Sequence, residues 1–84
     1  ITGRVAVYPN PFADEMNVAI AVQKDQYIQW KLVDNNGRIV LQNRETVKKG
    51  NNILHVKTQK LAAGIYYLDV SGNGINQRIK LQRL

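Results

Sequence analysis

The chain has 84 residues, of which 12 are Lys or Arg and 6 are Asp or Glu, so its formal net charge is +6. This length predicts one domain with a thin core, and the absence of cysteine excludes disulfide bonds and thiolate metal sites. No apolar run approaches the roughly 20 residues of a membrane-spanning helix, so no membrane span is expected. There is no initiating Met and no signal-peptide pattern, and we therefore expect residues 1–84 to be excised from a longer protein.

The positive charge is spread along the chain, and only Lys48 and Lys49 are adjacent basic residues. A net positive charge can favour nucleic acid, anionic lipid or anionic glycan. Nucleic-acid surfaces also need stacking aromatics, but this chain has six aromatic residues, several of them at apparent core positions. We therefore interpret most cations as solvated strand faces and expect no nucleic-acid partner.

The first strand-like stretch, Arg4–Tyr8, ends at Pro9-Asn10-Pro11. The two prolines remove two hydrogen-bond donors and hold Asn10 extended, so this segment is expected to leave the sheet. Phe12 is expected to return to the core.

Two alternating stretches follow, at residues 16–22 and 27–33, and Asp34-Asn35-Asn36-Gly37 then gives a hairpin signal. A two-residue loop at Asn36 and Gly37 places Leu32 opposite Leu41, with Trp30 and Ile39 on the same face. The loop also bears a slight likeness to a calcium loop, but it lacks the later ligands and the closing Glu.

The central strand is predicted within LAAGIYYLDV, residues 61–70. Gly64 suits a corner that requires positive φ, and Tyr66 begins an alternation that continues through the strand. A Tyr at this place resembles the tyrosine corner of immunoglobulin-like sandwiches, in which the hydroxyl bonds to the preceding loop. The alternative interpretation is a core Tyr in an ordinary strand.

About seven short strands, with no helical period, predict an all-β fold: a single immunoglobulin-like β-sandwich of antiparallel strands. In the last strand, Arg78, Lys80 and Gln82 are expected to face outward. The residues predicted to face inward are Met16, Val18, Ile20, Trp30, Leu32, Ile39, Leu41, Leu54, Val56, Tyr66, Leu68, Val70, Ile79 and Leu81.

The titratable residues form no recognisable catalytic or metal-binding pattern. His55 is the single histidine, and it alternates with apolar neighbours in a way that predicts a solvated side chain. Asp14 and Glu15 are consecutive strand residues that point to opposite faces, which makes them a poor acid–base pair. We therefore expect no enzymatic activity, no cofactor and no metal site.

Five segments together resemble the C-terminal sorting domains of the type IX secretion system: VYPNPF, DNNGRIV, GNNILHV, LAAGIYYLDV and the terminal RIKLQRL. The resemblance runs from about Val5 to Leu84. It implies an immunoglobulin-like sandwich at the end of a secreted cargo protein of a Gram-negative bacterium. It further implies export through the periplasm and the type IX translocon, removal by a sortase-like cell-surface protease, and cargo anchored at the cell surface.

The resemblance also implies a set of sorting residues. Lys80 and Leu81 correspond to the family's terminal Lys-apolar stretch, but this chain ends Gln82-Arg83-Leu84 where the family usually has a Lys-rich tail, which leaves open whether Arg83 replaces the terminal Lys. The C-terminal strand is predicted to be an exposed edge whose free backbone donors are read by strand addition. Lys80 and Arg83 are expected to be surface residues that can be neutralised with little loss of stability. The predicted sorting residues are Pro9, Asn10, Pro11, Gly37, Leu61, Gly64, Tyr66, Arg78, Lys80, Leu81 and Arg83.

Two other interpretations stay open at this point. An adhesive or carbohydrate-binding fibronectin-like module would need an exposed aromatic platform, for which Tyr8, Tyr27 and Tyr67 are the candidates. A basic nucleic-acid-binding barrel would need clustered cations beside stacking aromatics. For the glycines and Tyr66 we favour a role in maintaining the folded shape over a role in direct recognition.

Overall fold

The computed structural model describes residues 4–84, which form seven β-strands in two sheets. The strands are β1 (Arg4–Tyr8), β2 (Glu15–Val22), β3 (Gln26–Asp34), β4 (Ile39–Val47), β5 (Gly50–Lys57), β6 (Gly64–Gly72) and β7 (Ile75–Arg83). No helix long and apolar enough to cross a membrane occurs within the described part of the chain.

One sheet has the strand order β1-β2-β5, and the other has the order β4-β3-β6-β7, with antiparallel pairing between neighbours. The two sheets enclose one apolar core, to which both contribute. This arrangement confirms the all-β sandwich and the central position of β6, which pairs with strands on both sides. Strands β4 and β7 are the two edges of the larger sheet.

The core is built from the alternating faces that the sequence predicts. All of the predicted inward residues except Ile39 are buried, or partly buried against the core, and Phe12 is also fully buried. Val33, Val47 and the polar Thr58 are also buried, which the alternating pattern did not predict.

The hairpin between β3 and β4 differs from the predicted two-residue loop. The Gly37 amide donates to the Asp34 carbonyl at 3.0 Å, and the Asp34 amide donates to the Arg38 carbonyl at 2.8 Å. The loop therefore contains three residues and ends at Gly37, whose φ of 87° is a left-handed conformation that favours glycine.

The register shifts between Leu32 and Val33, so that Leu32 still lies opposite Leu41 while Val33 lies opposite Ile39. The extra loop residue and this β-bulge compensate, which is why the predicted Leu32–Leu41 pair is confirmed. The inward prediction for Ile39 is wrong: its side chain is 49% exposed. Because side chains alternate along a strand, a shift of one residue moves Ile39 to the opposite face.

Candidate functional site

The segment after β1 leaves the small sheet and lies along the edge of β7. Both peptide bonds that precede its prolines are cis. The Asn10 side-chain amide donates to the Lys80 carbonyl at 3.3 Å, and its oxygen accepts from the Gln82 amide at 3.1 Å. The segment predicted to leave the sheet edge therefore returns to the edge of the other sheet.

Phe12 continues the same contact with its backbone. Its amide donates to the Gln82 carbonyl at 2.8 Å, and its carbonyl accepts from the Leu84 amide at 2.8 Å, which forms a parallel bridge around Arg83. The Asn10 side chain and the Phe12 backbone thus act as two consecutive rungs of a short additional strand. These bonds engage the Lys80 carbonyl, both backbone groups of Gln82 and the Leu84 amide, so the prediction of free backbone donors is wrong for Gln82 and Leu84.

Arg83 is held from the inner side of the same strand. Its side chain is only 13% exposed and lies 3.5 Å from the Asp14 carboxylate. The Arg83 guanidinium also donates to the carbonyls of Thr58, at 3.2 Å, and Gln59, at 3.5 Å. The expectation that Arg83 is a surface residue is therefore wrong, because its cation closes the turn after β5.

Thr58 connects this turn to the segment after Phe12. Its hydroxyl donates to the Ala13 carbonyl at 2.8 Å, and its amide donates to the Asp14 carbonyl at 2.8 Å. Thr58 is 1% exposed, and both polar groups are satisfied. Neither Thr58 nor Asp14 was predicted to belong to a site, because single polar residues in turns carry no pattern that predicts a distant partner.

The Arg83→Gln substitution is expected to lower the free energy of unfolding by about 1–3 kcal/mol, because it removes the charge-assisted bond to the part-buried Thr58 carbonyl together with the bond to Gln59 and the ion pair with Asp14. The exposed Lys80→Gln is the matched control and should change stability by no more than about 0.5 kcal/mol. Urea denaturation of the two variants measures the difference. Equal stability of the two variants would contradict a structural role for Arg83.

Tyr66 forms the tyrosine corner that the sequence suggested. Its hydroxyl donates to the Ala62 carbonyl at 2.6 Å, which closes the loop before β6. The Tyr66 ring lies 6.2 Å from the Phe12 ring, centroid to centroid, and Tyr66 is opposite Leu81 in β7. The tyrosine corner therefore packs beneath the contact between the segment after β1 and the C-terminal strand.

Gly64 opens β6 with φ at 150°, and a Cβ added there would meet no atom within 4 Å. We expect Gly64→Ala to destabilise the protein by about 1 kcal/mol or more through backbone strain alone. Thermal melting measures the loss, and export of a fused reporter should fall only with the folded fraction. Loss of export with unchanged melting would identify Gly64 as a contact residue.

The outer face of the larger sheet carries a separate ion pair. Arg78 donates to both oxygens of Asp69, at 2.6 and 2.8 Å, and these bonds hold the pKa of the Asp69 carboxyl below its usual value. The Arg38 and Asn36 backbone amides likewise lower the pKa of Asp34 in the hairpin.

These lowered pKa values predict an acid-sensitive fold. A carboxyl whose pKa is depressed in the folded state stabilises the protein above its unfolded pKa, here about 3.8, and this stabilisation is lost as the pH falls through the folded value. The stability difference between the wild type and Asp69→Asn should therefore shrink below about pH 4, as measured by denaturant unfolding. Arg78→Gln should remove the same pH-dependent contribution. A difference that stays constant with pH would contradict this cause.

The predicted sorting residues divide into a cluster and two outlying positions. Gly37 lies in the hairpin at the β4 edge, and Arg78 pairs with Asp69 on the outer face of the sheet. The clustered residues, joined through the Asn10, Phe12, Tyr66 and Arg83 contacts, are Pro9, Asn10, Pro11, Leu61, Gly64, Tyr66, Lys80, Leu81 and Arg83.

The remaining candidates form no common site. Tyr8 faces outward from the small sheet, whereas Tyr27 and Tyr67 belong to the larger one and contact Arg44 and Arg78 at 4.5 and 5.4 Å. The three tyrosines therefore make no shared platform. Within residues 4–84, His55 is exposed beside Asn17, and no group of three acidic or histidine side chains is placed to hold a metal ion.

Comparison with known proteins gives one family. Residues 6–82 match the family model described as "Secretion system C-terminal sorting domain". No match was found among curated proteins.

Proposed function

The chain belongs to the family of secretion system C-terminal sorting domains, and from that premise we propose that it ends a longer cargo protein from which a sortase-like cell-surface protease removes it. A domain of this family is the C-terminal sorting signal of the type IX secretion system, which exports an N-terminal cargo to the cell surface or beyond. That role is non-catalytic. The observation that carries the function is the family match over residues 6–82.

We further propose a single domain of residues 1–84 that crosses the inner membrane with its cargo, folds in the periplasm and leaves through the translocon. Its stable shape is supported by the tyrosine corner and by the buried anchor of Arg83. After removal of the domain, the cargo is anchored at the cell surface. Residues 1–3 lie outside the described part of the chain.

The C-terminal strand is the proposed signal, with its outward cations as the groups that are read. Lys80 is exposed, and Arg78 is exposed beside Asp69. Strand addition is confined in this proposal to the part of the β7 edge before Lys80, because Asn10 and Phe12 occupy the rest. Gly37, Leu61, Gly64 and Tyr66 act by maintaining the folded shape.

The sorting function is tested by fusing residues 1–84 to the C-terminus of a periplasmic reporter in a bacterium that has this secretion system. We expect the reporter at the cell surface in the parent strain and in the periplasm of a translocon-deficient strain. The same reporter without the domain is the control. Periplasmic retention of the fusion in the parent strain would contradict the proposal.

The proteolytic step is tested on the exported fusion by mass spectrometry of the surface reporter. We expect a reporter that lacks residues 4–84 and carries a new C-terminus joined to a surface component. An intact fusion at the cell surface would show export without removal.

A further inference from the structure

We propose that the Pro9-Asn10-Pro11 segment and the residues from Lys80 to Leu84 are read as one composite surface by a protein partner in the secretion machinery. This inference rests on the proposed sorting function and specifies which surface is read. The two segments are about seventy residues apart in the chain, and the structure joins them through Asn10, which bonds to Lys80 and Gln82.

The contact between the two segments, called the joint below, has the hydrogen-bond pattern of two paired strands. Like a peptide unit, an amide side chain can both donate and accept, and Asn10 donates one bond from its NH2 group and accepts one at its oxygen, both toward β7. The next rung, from Phe12, uses backbone atoms and has the parallel geometry of a sheet. A side chain that replaces a peptide unit fixes the two prolines against the strand without extending the sheet.

The exposed part of this joint has mixed character. The rings of Pro9 and Pro11 are exposed, and Leu84 is 64% exposed, so the surface offers apolar groups at both of its ends. Lys80 adds a cation that has no ion-pair partner among the described residues, in contrast to Arg83, which is paired with Asp14. We name Pro9, Asn10, Pro11, Lys80, Gln82 and Leu84 the composite surface.

This chemistry defines the partner. Proline rings and a leucine side chain fit an apolar protein groove, since rigid rings lose little conformational entropy when they are bound. A carboxylate on the rim of that groove would pair with Lys80, and it would favour this protein, whose net charge is +6. The partner is therefore a protein groove with an apolar floor and an acidic rim.

The buried residues behind the surface explain why it requires a folded domain. Phe12 is fully buried, and Arg83 is anchored to Thr58, so the two segments keep their relative position only when the core is formed. An unfolded chain would present Pro9-Asn10-Pro11 and the C-terminus separately. Recognition of the composite surface thus selects folded domains.

The test uses the full chain fused to the reporter and compares surface export among variants of matched chemistry. Lys80→Gln combined with Leu84→Ser alters the composite surface. Lys24→Gln combined with Ile53→Ser is the matched control. It likewise replaces one exposed lysine, in a turn, and one exposed aliphatic side chain, an isoleucine that is 52% exposed on the other sheet. We expect at least a tenfold loss of export for the first pair and none for the second, with melting temperatures within roughly 5 °C of the wild type.

The Asn10→Ala variant tests whether the two segments are read together. It removes the bonds to Lys80 and Gln82 but leaves the exposed side chains of the C-terminal strand in place, and we expect at least a threefold loss of export. Asn10→Asp keeps the acceptor for the Gln82 amide, and it serves as the second variant if Asn10→Ala melts more than roughly 5 °C below the wild type.

Three outcomes would overturn the proposal and leave the sorting function intact. The first is normal export of a folded Asn10 variant while the Lys80→Gln/Leu84→Ser double variant is not exported. The C-terminal strand alone would then be the surface that is read. The second is normal export of the Lys80→Gln/Leu84→Ser double variant. The third is equal loss for the control pair. Periplasmic retention of the wild-type fusion is a different result, which would contradict the sorting function itself.

Discussion

Trp30→Ala is expected to lower the free energy of unfolding by about 3–5 kcal/mol, because it removes the largest side chain of the core and leaves a cavity. Trp30 lies in the centre of β3, opposite Val70 in β6, and is 6% exposed. For a small domain whose total stability lies near the low end of roughly 5–15 kcal/mol, this loss leaves much of the population unfolded. Because the substitution removes the single tryptophan, unfolding is measured by far-UV circular dichroism.

Trp30→Phe is the control for this prediction. It keeps one ring in the core and removes the indole nitrogen, which lies 3.5 Å from the Glu45 carboxylate. We expect a smaller loss than for alanine, since the remaining ring fills part of the cavity. A loss below about 0.5 kcal/mol for Trp30→Ala, as at ordinary surface positions, would contradict its place in the core.

The single substitution Phe12→Ala is also expected to lower the free energy of unfolding by about 3–5 kcal/mol, as measured by urea denaturation. Phe12 is fully buried although it lies outside the regular strands, and its backbone closes the end of β7. The substitution should therefore also increase hydrogen exchange at the Leu84 amide, which bonds to the Phe12 carbonyl.

Two controls separate burial from the loss of any aromatic side chain. Phe12→Leu keeps most of the apolar volume and should cost less than Phe12→Ala. Tyr8→Ala removes a neighbouring aromatic residue that is 45% exposed and should cost far less. Equal losses for Phe12→Ala and Tyr8→Ala would show that Phe12 does not anchor the segment to the core.

Alternation alone predicted most of this fold. Side chains in a strand alternate with a period of two, so the buried residues of β2 and β6 can be identified without a structure. The corner at Gly64 and Tyr66 was also readable, because its hydrogen bond spans only four residues and depends on local geometry. The family resemblance depended on motifs of the same local kind.

The loop length of the β3–β4 hairpin could not be predicted from the local sequence. Asp34-Asn35-Asn36-Gly37 indicated a turn, but two- and three-residue loops share that composition, and the choice between them decides the face of every following side chain. The bulge then restored the pairing of Leu32 with Leu41 and left Ile39 on the outside.

The candidate site was determined by the tertiary structure. The sequence identified Pro9-Asn10-Pro11 and the C-terminal strand as separate motifs, and it indicated a free edge and an exposed Arg83. Nothing local in the chain specifies that Asn10 bonds to Gln82 or that Arg83 bonds to Thr58, because these partners are brought together only when the two sheets pack. The sequence by itself therefore determined the strands and their faces, whereas packing across long chain separations decided which edge is closed and which cation is exposed.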